Sequence, residues 1–105
     1  MVVRFGRVEG IVEPVEDDGE TRLRLTVYLD TGSRLSVVRE AIVRPLRPPE
    51  TPDDLLWYAD QLTQETIGTD LAELGWEAIG AGDAPPPEPG ALARSPAYAV
   101  RNLTS

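Results

Sequence analysis

The chain of 105 residues contains no cysteine, no histidine and no lysine. Without cysteine it forms no disulfide, and it has no thiolate that could attack a substrate or bind a metal. Without histidine it lacks the commonest general base and the commonest metal ligand. These absences exclude much hydrolytic and metal-dependent chemistry, and they predict a protein that has neither a metal site nor a cofactor.

Long hydrophobic segments are missing as well. No stretch approaches the roughly 18 apolar residues that a membrane-spanning helix needs, and residues 1–6 lack the apolar run of a signal peptide. The sequence therefore predicts a cytoplasmic protein without a membrane partner. All ten basic residues are arginine, a usage that favours a bacterium with a high-GC genome as the source.

The residues that are present suit one small globular domain. Hydrophobic residues make up 41% of the chain and charged residues 27%, which is ordinary globular composition. We predict a single domain over residues 1–79, a linker rich in proline and glycine at 80–96, and a C-terminal docking tail at 97–105. The tail has enough apolar side chains to dock on a surface but too few to fold alone.

Residues 2–44 predict antiparallel strands. Apolar and polar residues alternate from 22 to 29, and the Asp18-Gly19 step is typical of a tight hairpin turn. Glycines in the first strand indicate bends. The pattern predicts an α+β domain, in which a curled antiparallel sheet of four or five strands packs with one main helix. The same stretch resembles a partial small barrel of the SH3 type.

The main helix is predicted over residues 52–67. Thr51 is a suitable N-cap, Pro52 suits the first helical position, and two aspartates follow in the first turn. One apolar stripe then follows the period of an α-helix. The stripe consists of Leu55, Ala59, Leu62 and Thr66.

This helical phase fails beyond Gly68. If the same helix continued, Asp70 and Glu73 would point into the apolar stripe. We therefore predict that the helix ends near Ile67, and that a short helical turn and a strand occupy residues 70–79.

Acidic charge is concentrated in residues 51–84. This segment holds eight acidic residues and no basic one, whereas the net charge of the whole chain is −8. Its field would repel nucleic acid and attract a basic partner. The sequence thus predicts a protein partner, preferably a basic one, and no nucleic acid. A solvated acidic helix face is the simpler alternative.

Trp57 is the most informative aromatic residue. On a helical wheel it lies opposite the apolar stripe, beside Asp60, Gln61 and Gln64. A tryptophan in this position is either covered by another part of the chain, for which residues 91–105 are the obvious candidate, or offered to a partner as a binding hot spot. We take these four residues as the candidate partner-binding site.

One motif points to catalysis instead. Asp30-Thr31-Gly32 follows the apolar run Val27-Tyr28-Leu29, and it resembles the catalytic loop of aspartic proteases. The resemblance implies a homodimer in which two Asp30 carboxylates share a proton and activate water. A tight turn prefers the same residue types for geometric reasons alone. Exchange of Asp30 for asparagine separates the two interpretations, because only an enzyme would lose turnover.

Taken as a whole, the sequence predicts a non-catalytic, cytoplasmic protein-interaction module that binds its partner through residues 51–84. An immunity or inhibitor protein, or an accessory protein, would fit this description. The alternatives are a homodimeric aspartic hydrolase that uses Asp30, and a subunit of a homo-oligomeric assembly that associates through its helix or its tail. A homodimer stays open.

Overall fold

The computed structural model describes residues 4–45, 49–81 and 93–103 of the chain. In this part, the strands form one antiparallel sheet and an α-helix packs on one side of it. The helix, α1, spans Pro52–Thr66. The strands are β1 (Arg4–Asp17), β2 (Glu20–Asp30), β3 (Leu35–Val43), β4 (Trp76–Ala81), β5 (Ala93–Arg94) and β6 (Tyr98–Asn102).

Five strands lie side by side in the order β3-β2-β1-β6-β4, and the two-residue β5 also pairs with β1. This confirms the predicted α+β class, with an antiparallel sheet and one main helix. The sheet does not close into a barrel, because β3 and β4 end it as edge strands. The far side of β1 pairs with β5 and β6 from the C-terminal part of the chain, so the sheet grows outward instead of closing.

β1 and β2 form a long hairpin around Asp18 and Gly19. Both residues have positive φ, 54° and 78°, as a two-residue turn requires if it is to match the twist of the strands. Every second side chain of β2 points to the face that α1 covers, which we call the inner face. The buried residues of this set are Leu23, Leu25, Val27 and Leu29.

β3 is one strand with a bulge at Val38. Tyr28 pairs with Val37 while Val27 pairs with Arg39, so Val38 has no residue opposite it. The extra residue shifts the alternation of β3 between its two halves. As a result, three apolar residues from both halves share the face that α1 does not cover, which we call the outer face. They are Leu35, Val37 and Ile42.

α1 begins at the predicted residue with a complete capping box. The Asp54 N–H donates to Thr51 Oγ1 at 3.2 Å, and the Thr51 N–H donates to the Asp54 carboxylate at 3.3 Å. Pro52 occupies the first turn. Because these contacts use the otherwise unpaired N–H groups of the first turn, the local sequence fixes where the helix starts.

α1 ends at Thr66, close to the predicted end, but the chain does not leave the helix there. Ile67–Leu71 continue it as a π-helical turn. The wider turn takes in an additional residue, so Leu71 enters the core at 1% exposure. Asp70 turns aside and pairs with Arg39 of β3 at 3.0 Å. This π-helical turn explains why the α-helical periodicity of the sequence fails beyond Gly68 although the chain remains helical.

Gly10 of β1 marks the closest approach of α1 to the sheet. A Cβ on Gly10 would lie 1.6 Å from Thr63 Oγ1, so only glycine fits. The Gly10 N–H donates to Ser95 Oγ at 3.2 Å, Ser95 Oγ donates to Thr63 Oγ1 at 3.1 Å, and Thr63 Oγ1 donates to the Ala59 carbonyl at 2.7 Å. These bonds give the two buried hydroxyls partners, as burial of polar groups requires.

The C-terminal part of the chain differs from the prediction of a docking tail at 97–105. Residues 98–102 form β6, which lies inside the sheet between β1 and β4. Val100 is fully buried, and Ala97 is 1% exposed. These residues complete the core of the domain predicted at 1–79. Most of the linker predicted at 80–96, namely residues 82–92, lies outside the described residues.

Candidate functional site

The four residues predicted to bind a partner lie on the outward side of α1, which we call the helix surface. Trp57 is 58% exposed, and Gln61 and Gln64 are exposed as well. Asp60 is half-buried. The helical repeat places Trp57 and Gln61 away from the sheet because Ala59 and Thr63 face the core, where both are fully buried. Asp60 lies at the margin of α1, within hydrogen-bond distance of β6.

The Trp57 ring has one aromatic neighbour among the described residues and is otherwise largely exposed. It makes an edge-to-face contact with Tyr58, with 5.1 Å between the ring centroids and 78° between the planes. Tyr58 itself packs against the core. The sequence left open whether residues 91–105 cover Trp57. Trp57 is 58% exposed, so most of the indole faces outward. The described part of the predicted covering segment contains β5 and β6, which lie in the sheet.

Asp60 and Gln64 belong to a hydrogen-bond network. Asp60 Oδ1 accepts from the Tyr98 hydroxyl at 2.5 Å, and Asp60 Oδ2 accepts from Gln64 Nε2 at 2.9 Å. Burial, followed by the hydrogen bond to Asp60, raises the pKa of Tyr98 above its ordinary value. The network ties α1 to β6. Of the four predicted residues, Trp57 and Gln61 make no side-chain hydrogen bond within the part of the chain that the structure describes.

Sequence reasoning missed Tyr98 as a member of this site. Tyr98 lies 38 residues from Asp60, in the segment 97–105 for which the sequence predicts a docking tail. No local pattern places a residue of one element beside a helix so distant in the chain. Only the insertion of β6 next to β1 brings the two together.

Apart from Asp54, which caps α1, the acidic residues of the segment 49–81 divide into two groups. Three of them have partners outside it: Asp60 binds Tyr98, Asp70 pairs with Arg39, and Glu77 pairs with Arg101. The carboxylates of four others have no hydrogen-bond or ion-pair partner among the described residues. These are Glu50, Asp53, Glu65 and Glu73, and all four are exposed. Since the segment has no basic residue, the surface around Trp57 is acidic.

A second surface, which the sequence analysis did not single out, is the outer face of the sheet. It holds an open concavity of about 410 Å³ across β1, β2 and β3. An ion pair between Arg24 and Glu13 lies in its wall. The other lining residues are Ile11, Thr26, Tyr28, Val37 and Glu40. The bulge in β3 creates this arrangement, and no sequence signal locates a bulge at Val38.

Asp30, the candidate for catalysis, lies in the turn between β2 and β3. Its Oδ1 accepts from the Gly32 N–H at 2.8 Å, and the Thr31 N–H donates to the Arg34 carbonyl at 3.0 Å. Gly32 has a φ of 87°, as the turn requires. Asp30, Thr31 and Gly32 therefore provide the hydrogen bonds and the backbone conformation of a tight turn. The second carboxylate of an aspartic hydrolase would have to come from another chain, so catalysis stays a prediction.

The described ranges contain neither a cluster of metal-ligating side chains nor a helix that could span a membrane. No three acidic side chains there are grouped so that they could hold a metal ion. None of the helices in those ranges has the length and apolar character to cross a membrane.

No family model matches the chain, and no similar protein is found among curated proteins or solved structures. Function is therefore argued from the surfaces alone.

Proposed function

We propose that this chain is a non-catalytic protein-interaction module whose helix surface binds a basic protein partner. An immunity or inhibitor protein, or an accessory subunit, would act in this way. The single observation that carries the proposal is the 58% exposure of Trp57 on a helix that has acidic residues and no basic one. The lack of cysteine is compatible with a cytoplasmic site of action.

The exposed tryptophan supports binding for an energetic reason. Tryptophan is among the residues most enriched at binding hot spots, where its truncation costs about 2 kcal/mol or more. The contact with Tyr58 orients the indole before a partner arrives. An oriented side chain loses less conformational entropy on binding than a free one.

The unpaired acidic residues support a basic partner. Asp53 lies one helical turn before Trp57, and both point outward. Glu65 carries the same charge near the C-terminal end of α1. A surface of one sign attracts an opposite one over about 10 Å at moderate salt, which raises the association rate and selects against acidic partners.

The test is affinity capture from a lysate of the source cells, with wild type, Trp57→Ala and Phe5→Ala as baits. Phe5 is the matched control, because it is an aromatic residue of 65% exposure that lies on the sheet and not on the helix surface. We expect wild type and Phe5→Ala to retain the same protein, and Trp57→Ala to bind it about thirtyfold more weakly. Added salt should weaken retention further.

Two results would contradict the proposal. One is that wild type retains no protein other than copies of itself. The other is that Trp57→Ala and Phe5→Ala retain the same partner equally well, which would move the binding site away from the helix surface.

A further inference from the structure

β3 is an edge strand with a bounded stretch that is open to pairing. On its far side it has no strand partner among the described residues. The bulge at Val38 interrupts regular pairing at one end of this stretch, and Pro45 interrupts it at the other. Six residues, 39–44, lie between these limits. The Arg39 side chain is paired with Asp70, and we call the remaining five residues, Glu40 to Arg44, the open edge.

The open edge is complementary to itself. Its sequence is Glu-Ala-Ile-Val-Arg, with an acid and a base at equal distances from a central Ile42. Glu40 and Ile42 share the outer face, since Glu40 pairs with Thr26 and Ile42 with Arg24 in the neighbouring strand. Arg44 directly follows β3, and its guanidinium lies on the same face, 3.9 Å from Glu20. Ile42 is 55% exposed.

We propose that a second copy of this chain binds to the open edge, with the two β3 strands antiparallel about a two-fold axis at Ile42. In this register Ile42 lies opposite Ile42 of the second copy. Glu40 lies opposite Arg44 of the second copy, and Arg44 opposite its Glu40. The two five-strand sheets then continue into each other through backbone hydrogen bonds.

Neighbouring registers are less favourable. A two-fold axis at Glu40 places two like charges opposite each other, which is destabilising. An axis at Ala41 sets Glu40 against Ile42, and an axis at Val43 sets Ile42 against Arg44. Only the axis at Ile42 joins one apolar pair with two pairs of opposite charge.

The charges of the open edge are available for this contact. The Glu40 carboxylate is exposed and has no hydrogen-bond or ion-pair partner among the described residues. The Arg44 side chain is 76% exposed, and its guanidinium lies 3.9 Å from Glu20, at the outer limit of an ion pair. By contrast, the neighbouring Arg39 is already paired with Asp70 on the inner side.

Cysteine cross-linking tests the register directly, because the natural chain has no cysteine. Residues opposite each other in antiparallel strands have Cα atoms about 4.5 or 5.5 Å apart, within the range of a disulfide. We expect Ile42→Cys to form a disulfide-linked dimer under mild oxidation. Val37→Cys is the matched control, since Val37 is 57% exposed on the same face but lies beyond the open edge. In the proposed register two Val37→Cys side chains lie too far apart to join, so this variant should form little disulfide-linked dimer.

Charge exchange tests the same register without cross-linking. In sedimentation equilibrium, wild type should show a monomer–dimer equilibrium. Glu40→Arg and Arg44→Glu should each raise the dissociation constant about tenfold, since each turns two attractive pairs into repulsive ones. The double variant should return to the wild-type value. Trp57→Ala should dimerise like wild type, which keeps this result separate from the helix surface.

Three results would overturn the proposal. They are a wild-type chain that stays monomeric at all concentrations, equal cross-linking of Ile42→Cys and Val37→Cys, and a double charge variant that dimerises no better than the single ones. The expected results in both experiments would establish the open edge as the contact between two copies.

Discussion

The two faces of the sheet are built from the same alternating strands but differ in what covers them. On the inner face, Leu25 of β2 is 2% exposed beneath α1. On the outer face, Ile42 of the adjacent β3 is 55% exposed, and Phe5 of β1 is 65% exposed. The difference separates the residues that build the core from those that our two proposals assign to recognition. The inner face supplies the core, whereas the outer face and the outward side of α1 carry exposed apolar side chains.

The comparison is tested most strongly by truncating one residue on each face. Leu25→Ala should lower the free energy of unfolding by about 2–5 kcal/mol, because it removes apolar contacts and leaves a cavity. Ile42→Ala should lower it by less than about 1 kcal/mol. Urea denaturation at low protein concentration, where no second copy contributes, measures both. Similar losses for the two variants would mean that the outer face is buried in solution.

A smaller effect is expected where α1 meets β1. Ser95→Ala removes the acceptor of the Gly10 N–H and the donor to Thr63 Oγ1, all of them buried. A buried polar group that loses its partner costs about 1–3 kcal/mol. Ser33→Ala, in an exposed turn, is the control and should change the unfolding free energy by about 0.5 kcal/mol or less. If Ser95→Ala lowered the unfolding free energy no more than Ser33→Ala, the hydrogen bonds that join Gly10, Ser95 and Thr63 would contribute little to stability.

The smallest effect concerns pH. Burial, and after it the hydrogen bond to Asp60, raises the pKa of Tyr98 above 10.0 in the folded chain. A raised pKa means that the stabilisation is complete below about pH 10 and is lost as the pH rises through the folded-state value. Tyr98→Phe should therefore show a shallower loss of stability above pH 10 than wild type. Chemical denaturation at several pH values measures this, with Tyr28→Phe as the control for loss of a tyrosine hydroxyl. Parallel curves for wild type and Tyr98→Phe would contradict it.

Features set by neighbouring residues could be predicted from the sequence. The start of α1 follows from Thr51 and Pro52, and the β1–β2 hairpin follows from Asp18 and Gly19 with the alternation of β2. In each case the residues that determine the conformation lie within one turn or one strand. The exposed position of Trp57 also follows from the helical repeat alone.

Features that depend on distant residues or on an extra residue could not be predicted. β6 pairs with β1 across most of the chain, with Val8 opposite Tyr98, so nothing near residue 98 indicates a central strand. The bulge at Val38 and the π turn at Ile67–Leu71 each insert one residue into a regular repeat. A sequence shows such an insertion only as a failure of phase, and it does not show whether the element ends or continues.

The central claim is that Trp57 is presented outward and not covered by its own chain. The chain has two tryptophans, and Trp76 is 8% exposed. We would therefore measure acrylamide quenching of the fluorescence of Trp76→Phe, in which Trp57 is the sole emitter, and of Trp57→Phe, in which only Trp76 emits. We expect strong quenching and red-shifted emission from Trp57, and weak quenching and blue-shifted emission from Trp76. Weak quenching of Trp57 in a folded Trp76→Phe variant would show that the helix surface is already covered, and it would contradict the proposed function.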